Sequence, residues 1–321
     1  MACFKVVILL MVYSFLWSCK VSKYQKSQLY ELKDYGNNEG NLNAYYFTPS
    51  QLSQNMPLVV VLHGCSQNAL QAAELTGWNE LAEKHGFCVL YPEQKRANNP
   101  SKCFNWFLSE DIEKDKGECS SIMAMTEEMM KRLPIDSSKI IVTGMSAGAA
   151  MSVVMASCYP DKFLGAAIMS GGPYKGAVGL TESVKAMRGK VIKSKEDWGE
   201  LIKAQNIEYT GEYPKMMIIH GKDDRVVDFE NSNQLTTQWS HVMKLDSQEV
   251  KVEKISSEIA ELNFLNKKGE IVIKKLEVDN LGHQLLVDPG EGETQGGKTG
   301  VFGVDKDYFS SYWVLKYFIL E

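Results

Sequence analysis

Short apolar runs alternate with stretches of helical periodicity along much of this chain. Pro57–Leu62, Phe87–Tyr91 and Phe163–Met169 are apolar at nearly every position, which is typical of strands buried on both faces of a parallel sheet. Between such runs, segments like Ala69–His85 repeat apolar residues at helical spacing. Strands that alternate with helices predict an α/β fold with a doubly wound, mostly parallel sheet.

The same pattern predicts further elements on either side of these runs. In chain order they are an edge strand over Ala44–Thr48, a methionine-rich helix over Ser120–Leu133, a strand over Asp136–Val142, a strand over Lys215–Ile219, a helix over Glu230–Lys244, a pair of strands within Glu249–Glu277, and a closing helix over Asp307–Leu320. Pro92 is expected to stop the strand before it. The stretch Tyr174–Gly211 lacks strand signals and reads as a helical insertion or lid. A single domain over residues 43–321 is the simplest organisation.

The first nineteen residues predict export from the cell. Lys5 precedes the apolar run Val6–Trp17, which is followed by Ser18 and Cys19, as in a signal peptide. The run is shorter than the roughly 20 apolar residues of a membrane-spanning helix. Leu16–Cys19 also resembles a bacterial lipobox, in which the cysteine is lipidated. We therefore expect an export or lipoprotein signal over residues 1–19, a tether over 20–42, and a secreted, periplasmic or outer-surface protein, with a retained membrane anchor as the alternative.

Composition is that of an ordinary globular protein and changes this picture in two ways. Hydrophobic residues make up 44% and charged residues 23% of the 321 positions, which allows a large core. The formal net charge of −5 gives no reason to expect nucleic acid as a partner. Seven cysteines in an exported chain make disulfides possible. Cys65 and Cys103 lie in predicted loops and are candidates to pair, with Cys119 as a rival partner.

The strongest chemical signal follows the predicted strand that ends at Val142. Gly144–Gly148 has the pattern G-x-S-x-G and is followed by small residues of helical character. The order strand, sharp turn, helix is that of a nucleophile elbow, which raises a serine hydroxyl above the sheet. The N–H groups at the start of the next helix point at the oxyanion that forms during acyl transfer. The segment predicts a serine hydrolase with Ser146 as nucleophile.

A serine nucleophile needs a histidine base, which in this fold class follows the serine and the acid along the chain. The chain has five histidines: His63, His85, His220, His241 and His283. The first two precede the serine, the third ends a strand, and the fourth lies within a predicted helix. His283 follows the last strand in a glycine-bearing loop, where catalytic groups of open α/β sheets gather. We predict His283 as the general base.

The acid is expected in the turn that follows His220. Asp223, Asp224 and Asp228 compete for this role. Asp224 is favoured because it lies four residues past His220, deep enough in the loop to turn back toward the base. The alternative for any of the three is a solvated turn residue or a helix N-cap.

Backbone N–H groups and a few side chains complete the predicted site. The loop after the first buried strand donates one oxyanion N–H and the residue after the nucleophile donates the other, which assigns Cys65 and Ala147 to these roles. Candidate substrate-binding residues are Trp106, Asn105 and Tyr174. Trp106 is favoured because it and Asn105 lie in a loop rather than on a periodic face, whereas core packing is the default for an aromatic side chain.

Taken together, the motifs resemble the poly(3-hydroxybutyrate) depolymerase family of esterases over about Asn43–Gly300. The matching pieces are Leu62–Gln67, Gly77–Asn79, His85–Gln94, Cys103–Phe107, Gly117–Glu118, Val142–Met151, Tyr159–Phe163, His220–Asp224 and Gly282–His283. The resemblance implies an α/β-hydrolase fold, a Ser146–Asp224–His283 triad, and hydrolysis of polyhydroxyalkanoate or of feruloyl or acetyl esters of plant polysaccharide outside the cytoplasm. It implies no cofactor and no metal.

The chain departs from the family pattern at two places. Ala149 follows Gly148 where a second glycine is frequent, and Gln284–Leu285 follow the histidine where a small residue and an aromatic are frequent. No separate substrate-binding domain is evident. Two other classes stay open: a peptidase with the same triad, which usually has an additional propeller or lid domain, and a non-catalytic surface lipoprotein on a hydrolase scaffold.

Overall fold

The computed structural model describes residues 28–245 and 250–321, and twelve strands lie within these ranges. They are β1 (Tyr30–Glu31), β2 (Asn43–Phe47), β3 (Met56–Leu62), β4 (Cys88–Glu93), β5 (Ile135–Met145), β6 (Gly165–Met169), β7 (Lys215–Gly221), β8 (Val250–Lys254), β9 (Ile259–Leu265), β10 (Ile271–Val278), β11 (Leu285–Val287) and β12 (Gly303–Asp305). Ten form one sheet in the order β1-β2-β4-β3-β5-β6-β7-β10-β9-β8, while β11 and β12 pair with each other. The six central strands, from β4 to β10 in that order, run parallel, and the outer strands are antiparallel.

Helices connect the parallel strands in the described part of the chain. They are α1 (Ala69–Thr76), α2 (Trp78–His85), α3 (Ser109–Ile112), α4 (Gly117–Arg132), α5 (Ala147–Cys158), α6 (Leu180–Met187), α7 (Lys195–Lys203), α8 (Glu230–Val242) and α9 (Ser310–Leu315), and a π-helical turn over Lys316–Leu320 follows α9. Within the described ranges, no helix has the length and hydropathy needed to cross a bilayer. The predicted α/β class and mostly parallel sheet are confirmed.

The continuous apolar runs are explained by burial on both faces of the sheet. Side chains of a strand point alternately to the two faces. Along β3, Leu58, Val60 and Leu62 belong to one core, which α4, α5 and α8 cover. Val59 and Val61 belong to the other core, which α1, α2 and α9 cover. Each central strand therefore contributes to two hydrophobic layers, and no position along it can be polar without cost.

Several predicted boundaries differ from the observed ones for local reasons. The helix predicted over Ala69–His85 is two helices, because Gly77 between them adopts φ 66°, a left-handed conformation that glycine accepts readily. Pro92 does not end its strand: it lies inside β4 and pairs with Ala44 of β2. The strand predicted at the sheet edge, β2, is covered by the two-residue strand β1.

Part of the segment predicted as a tether packs on the domain, from Leu32 onward. Leu32 and Leu42 are almost fully buried, and the backbone N–H of Leu32 donates to Ala44 O at 2.9 Å. Gly40 N–H donates to the Ser121 hydroxyl of α4 at 2.8 Å. The export signal over residues 1–19 lies outside the described residues.

The structure gives the secondary structure of two regions that the sequence predicted only in outline. The insertion after Tyr174 contains α6 and α7. The stretch around residues 250–278 forms three strands rather than two, with the predicted turn at Asn266–Gly269 between β9 and β10. Because β10 also pairs in parallel with β7, its carboxyl end lies at the same edge of the sheet as the ends of β3, β5 and β7. Loops from four strands meet there, and they carry all the residues assigned to the predicted triad.

Candidate active site

Ser146 lies in a strained turn between β5 and α5. Its backbone adopts φ 56° and ψ −121°, which is unfavourable for a residue with a side chain and marks a backbone held by its surroundings. A Cβ at Gly148 would lie 2.1 Å from Leu62 O, and one at Gly144 would lie 2.5 Å from the Gly148 carbonyl carbon. Both glycines are therefore needed for β3, β5 and α5 to meet this closely. The turn leaves Ser146 partly exposed between buried neighbours.

Asp224 and His283 are joined by a short hydrogen bond at the ends of β7 and β10. His283 Nδ1 lies 2.7 Å from Asp224 Oδ2, and the side chain of Asp224 is fully buried. The other oxygen, Oδ1, accepts the backbone N–H groups of Val226 and Val227, each at 2.9 Å. A carboxylate that is fixed on both oxygens can hold an imidazole ring in one tautomer and orientation.

His220 is a third partner of the Asp224 carboxylate. Its Nε2 lies 2.8 Å from Val227 O and 3.5 Å from Asp224 Oδ2. Burial alone raises the pKa of Asp224, but hydrogen bonds with His220, His283 and the Val227 backbone outweigh it and hold the pKa well below its usual range. The carboxyl group is therefore ionised at neutral pH. The competing carboxyl groups Asp223 and Asp228 belong to exposed residues.

Three backbone contacts link the elbow to the histidine loop across four neighbouring strands. Ser146 N–H donates to Met169 O at 2.9 Å, Ser170 N–H donates to Ile219 O at 3.0 Å, and Asp223 N–H donates to Leu281 O at 3.1 Å. These contacts hold the ends of β5, β6, β7 and β10 together. Among the described residues, Ser146 Oγ makes no hydrogen bond to His283. Catalytic hydrogen bonds are often long before substrate binds.

The two residues predicted to donate to the oxyanion are Ala147, next to the nucleophile, and Cys65, in the loop after β3. Ala147 is the first residue of α5, so its N–H has no acceptor within the helix. In the loop after β3, Gly64 N–H donates to the Gln67 side chain, and Ser66 and Gln67 donate to backbone oxygens. Among the described residues, the Cys65 N–H has no such acceptor. In the described part of the chain, both N–H groups are thus without an acceptor, which is a condition for an oxyanion hole.

Cys65 and Cys103 form a disulfide that spans 38 residues. It joins the loop after β3 to the loop between β4 and α3, and it confirms the favoured pairing. The rival Cys119 is a buried free thiol, as are Cys88 and Cys158. The disulfide holds one predicted oxyanion donor against the segment that carries Trp106.

A mostly apolar cavity of about 270 Å³ opens beside Ser146. Its lining comes from the elbow, the disulfide region, the loop after β6 and helix α6, and includes Ser146, Ala147, Cys65, Cys103, Trp106, Phe107, Pro173, Leu180, Val184, Met187 and Val227. A cavity of this kind suits an apolar acyl chain or a small ring. His283 does not line this cavity.

Of the three predicted substrate-binding residues, Trp106 lines the cavity and the other two do not. Asn105 is buried, and its backbone N–H donates to the Glu118 carboxyl group at 2.8 Å. Tyr174 is buried in the core, where its hydroxyl donates to Ile112 O at 2.9 Å. Both side chains therefore lie behind the cavity wall rather than in it. The loop position of Asn105 indicated exposure, but Glu118 of α4 covers it; Tyr174 follows the core packing that is the default for an aromatic side chain.

Helix α6 supplies a wall that no motif of the sequence indicated. Leu180 and Val184 line the cavity and are also 70% and 43% exposed to solvent. Both ends of the helix are held by backbone bonds: Gly179 N–H donates to Phe107 O at 2.6 Å, and Met187 O accepts the Asp228 N–H at 2.7 Å. Leu180 and Val184 lie four residues apart, on one face of a helix. This apolar pair is the sequence signal by which the predicted insertion could have been recognised as lining a site.

One acidic group in the described residues has the spacing of a metal site. Carboxylate oxygens of Asp288, Asp305 and Asp307 lie within 4.8 Å of one another. Gln295 Nε2 already donates to Asp288 Oδ1 at 2.9 Å, and none of the three residues lines the cavity beside Ser146. Exposed acidic groups frequently gather without a metal, and nothing in the geometry connects this group to the cavity.

Comparison with known proteins gives consistent results. The model of the family described as esterase PHB depolymerase matches residues 42–249. The chain is 38% identical over 298 residues to poly(3-hydroxyalkanoate) depolymerase C of Paucimonas lemoignei, covering 93% of this chain and 72% of that protein. It is 30% identical over 226 residues to feruloyl esterase B of Talaromyces stipitatus, covering 68% of this chain and 62% of that protein, which is less than two thirds.

A solved structure has the same overall fold. The acetyl xylan esterase from Aspergillus awamori superposes with a TM-score of 0.73 at 25% identity, covering 80% of this chain and 94% of that chain. The likeness confirms the α/β-hydrolase type of fold.

Proposed function

This chain belongs to the PHB depolymerase family of esterases and is a carboxylic ester hydrolase, and we propose that it works through a Ser146–Asp224–His283 triad. The observation that carries the proposal is the buried Asp224–His283 pair, at 2.7 Å, on loops adjacent to a strained serine beside an apolar cavity. The family resemblance stated from the motifs is confirmed by the family match and by the 38% identity to a depolymerase. The residue roles remain the proposal.

In the proposed mechanism, Ser146 Oγ attacks the ester carbonyl carbon while His283 Nε2 takes its proton. Asp224 keeps the ring proton on Nδ1 and stabilises the imidazolium that forms. The tetrahedral oxyanion accepts hydrogen bonds from the N–H groups of Cys65 and Ala147. Loss of one such donor typically costs roughly 100- to 1,000-fold in kcat. His283 then protonates the departing alcohol, and water attacks the acyl-enzyme by the reverse sequence.

We propose short aliphatic hydroxyacid esters, such as polyhydroxyalkanoate oligomers, as the substrate class. The similarity to a poly(3-hydroxyalkanoate) depolymerase over most of the chain supports this, as does the apolar cavity. Feruloyl or acetyl esters of polysaccharide are the second candidate, which the structural likeness to an acetyl xylan esterase favours. We further propose that the protein is exported, with the catalytic domain over residues 43–321 outside the cytoplasm, and that lipid attachment at Cys19 is the alternative to free secretion.

The experiment is hydrolysis of a substrate panel by the protein from Lys20 onward. The panel holds p-nitrophenyl acetate and butyrate, 3-hydroxybutyrate oligomers, methyl ferulate and acetylated xylan. Ser146→Ala should remove turnover, whereas Ser157→Ala should retain it, since Ser157 is a buried serine of α5 whose hydroxyl donates only to Val153 O. Residual activity of Ser146→Ala near the wild-type level would exclude the proposed nucleophile.

The pattern across the panel separates the candidate substrates. Preferential cleavage of the hydroxybutyrate oligomers supports the first candidate, and preference for ferulate or acetylated xylan supports the second. Lack of turnover on every ester, together with failure of a fluorophosphonate to label Ser146, would favour a non-catalytic binding protein. Mass spectrometry of the N-terminus from the native host tests cleavage before Cys19 and its lipidation.

A further inference from the structure

A chain of buried polar side chains runs behind the loops that flank Ser146. His63, Gln94 and Glu118 are each at most 2% exposed. They lie at the end of β3, just after β4 and in the first turn of α4, and none of them lines the cavity. The triad does not use any of the three. Buried polar groups are costly unless they are hydrogen-bonded, so their contacts indicate what they do.

On one side, this chain fixes the loop that carries Cys65. The backbone N–H of Gln94 donates to His63 Nε2 at 3.1 Å, and His63 Nδ1 lies 2.7 Å from Gly64 O. Burial lowers the pKa of His63 to about 4, although the contact with Gly64 opposes the shift. The ring is therefore neutral, with its proton on Nδ1 toward Gly64 and its lone pair toward Gln94. His63 thus ties the residue before Cys65 to the end of β4.

On the other side, Glu118 fixes the loop that carries Trp106. Its Oε2 accepts the Asn105 N–H at 2.8 Å, and its Oε1 accepts a hydrogen bond from Gln94 Nε2. Gln94 Nε2 also donates to Cys103 O at 3.2 Å. A single carboxyl group therefore holds the segment Cys103–Asn105 directly and reaches the oxyanion loop through Gln94.

We propose that Glu118 is a positioning residue for ester hydrolysis, which sets the Cys65 N–H and the Trp106 ring relative to Ser146 through Gln94 and Asn105. The inference rests on the proposed function, because it assumes that Cys65 donates to the oxyanion. The disulfide Cys65–Cys103 links the same two loops covalently but leaves rotation within each loop free. Glu118 removes that freedom from the side remote from the cavity.

The test is the steady-state kinetics of Glu118→Gln with p-nitrophenyl butyrate. The amide keeps one acceptor oxygen but presents an NH2 group to a donor, so one of the two contacts is lost. A displaced oxyanion donor lowers kcat and leaves ground-state binding intact. We expect kcat to fall by about 10- to 100-fold, in line with the cost of small misplacements, while KM changes by less than about threefold.

Two further variants separate positioning from general destabilisation. Glu118→Gln combined with Gln94→Glu reverses the donor and acceptor between the two positions, and should recover part of the lost kcat. Thr126→Val lies in the same helix and removes a buried hydroxyl that donates only to Ile122 O at 2.8 Å. It should lower the melting temperature without lowering kcat.

A second readout reports the oxyanion site itself. An aliphatic trifluoromethyl ketone adds to the serine hydroxyl and forms an oxyanion in the same position as the ester intermediate. Its inhibition constant should rise in Glu118→Gln by about the factor lost in kcat/KM. A variant with a lowered melting temperature but wild-type kcat and inhibition would overturn the proposal, as would a double variant no better than Glu118→Gln when both are folded.

Failure of this inference and failure of the proposed function give different results. If the wild-type protein neither hydrolyses an ester nor reacts with a fluorophosphonate at Ser146, the proposed function fails and Glu118 has no reaction to position. If the wild type is active and labelled while Glu118→Gln matches it, only the positioning role is excluded. Should Glu118→Gln not fold, Gln94→Met decides instead, because it removes the amide that links Glu118 to the oxyanion loop: a lowered kcat with KM unchanged supports the proposal, and wild-type kcat overturns it.

Discussion

The two walls of the cavity beside Ser146 are built in different ways. The wall that carries Cys65 and Trp106 is held by a disulfide and by the buried contacts of Glu118. The second wall, α6, is held by backbone bonds at its two ends, one of them to Phe107 O beside Trp106, and Leu180 on it is 70% exposed. One wall is anchored in the core, and the other rests on the surface.

The difference in construction suggests a difference in role: the first wall fixes the geometry of the reaction, and α6 contacts the substrate. An oxyanion donor must stay within a fraction of an ångström of its position to stabilise a transition state, so its loop needs covalent and buried anchors. A wall that only contacts the acyl or alcohol group gains little from such precision, and a surface helix can change its side chains without loss of the core. We expect substitutions in the first wall to change kcat and substitutions in α6 to change KM.

The largest loss of activity is expected at Asp224, the proposed acid, which belongs to neither wall. Asp224→Asn replaces the oxygen that faces His283 Nδ1 with an NH2 group, so the ring must take the wrong tautomer. We expect kcat/KM to fall about 10³- to 10⁴-fold with little change in KM. Steady-state kinetics on the best substrate of the panel would measure this.

The matched control is Asp223→Asn, which changes the exposed neighbour in the same turn. It should retain activity within about twofold, since its carboxyl group faces solvent. Equal losses in the two variants would show that the turn as a whole, rather than the Asp224–His283 contact, supports catalysis.

The disulfide is the next test, because it anchors only the first wall. Replacing Cys65 and Cys103 together with serine opens a loop of 38 residues. The loop-entropy relation predicts a loss of about 4 kcal/mol in the free energy of unfolding. Urea denaturation of the two forms would measure it, and kcat well below the unfolding transition should also fall.

Cys119→Ala provides the control for that variant. Cys119 is a buried free thiol, and its removal leaves a small cavity in α4 without opening any loop, which costs less than the disulfide. Unchanged kcat in the serine double variant would mean that the buried contacts of Glu118 alone hold the first wall.

The sequence carries clearer signals for the proposed triad than for the residues that line the cavity. Ser146, Asp224 and His283 follow strand ends in a fixed order, and both the strands and the glycines around Ser146 leave local signatures. Membership of a wall has no such signature: Asn105 and Tyr174 were expected at the cavity but are covered by Glu118 and by the core around Ile112. Contacts between elements far apart in sequence decide exposure, and periodicity does not report them.

The pH dependence of stability would sharpen the role of the buried anchor. Burial, with a smaller contribution from Asp111, raises the pKa of Glu118 from its ordinary value of 4.5 to about 8. The folded state thus binds this proton more tightly than the unfolded state, and stability from this group declines as pH rises from about 4.5 to about 8. Neighbouring His63 stays neutral across this window.

Glu118→Gln cannot titrate, so it should lack this decline. The difference in unfolding free energy between wild type and variant should therefore shrink from about pH 5 to about pH 8 in urea titrations. Asp111→Asn, which removes the neighbouring charge, should keep the decline but shift it to lower pH. A constant difference between wild type and Glu118→Gln would mean that the carboxyl group titrates as in the unfolded chain.

The smallest effects on stability and activity are expected from substitutions in α6, and they test the comparison of the two walls most directly. Leu180→Ser and Val184→Ser remove apolar surface that faces both cavity and solvent, so the free energy of unfolding should change by no more than about 0.5 kcal/mol. KM for p-nitrophenyl butyrate should rise about two- to tenfold while kcat stays near wild type, because contact with an apolar chain is worth about 1–3 kcal/mol per methylene at most. The acetate ester, whose acyl chain is shorter, should be less affected.

The control is Leu52→Ser, which changes an exposed leucine that does not line the cavity and should change neither kcat nor KM. If the α6 variants lower kcat instead, the helix acts on the reaction geometry, and the two walls differ in construction but not in role.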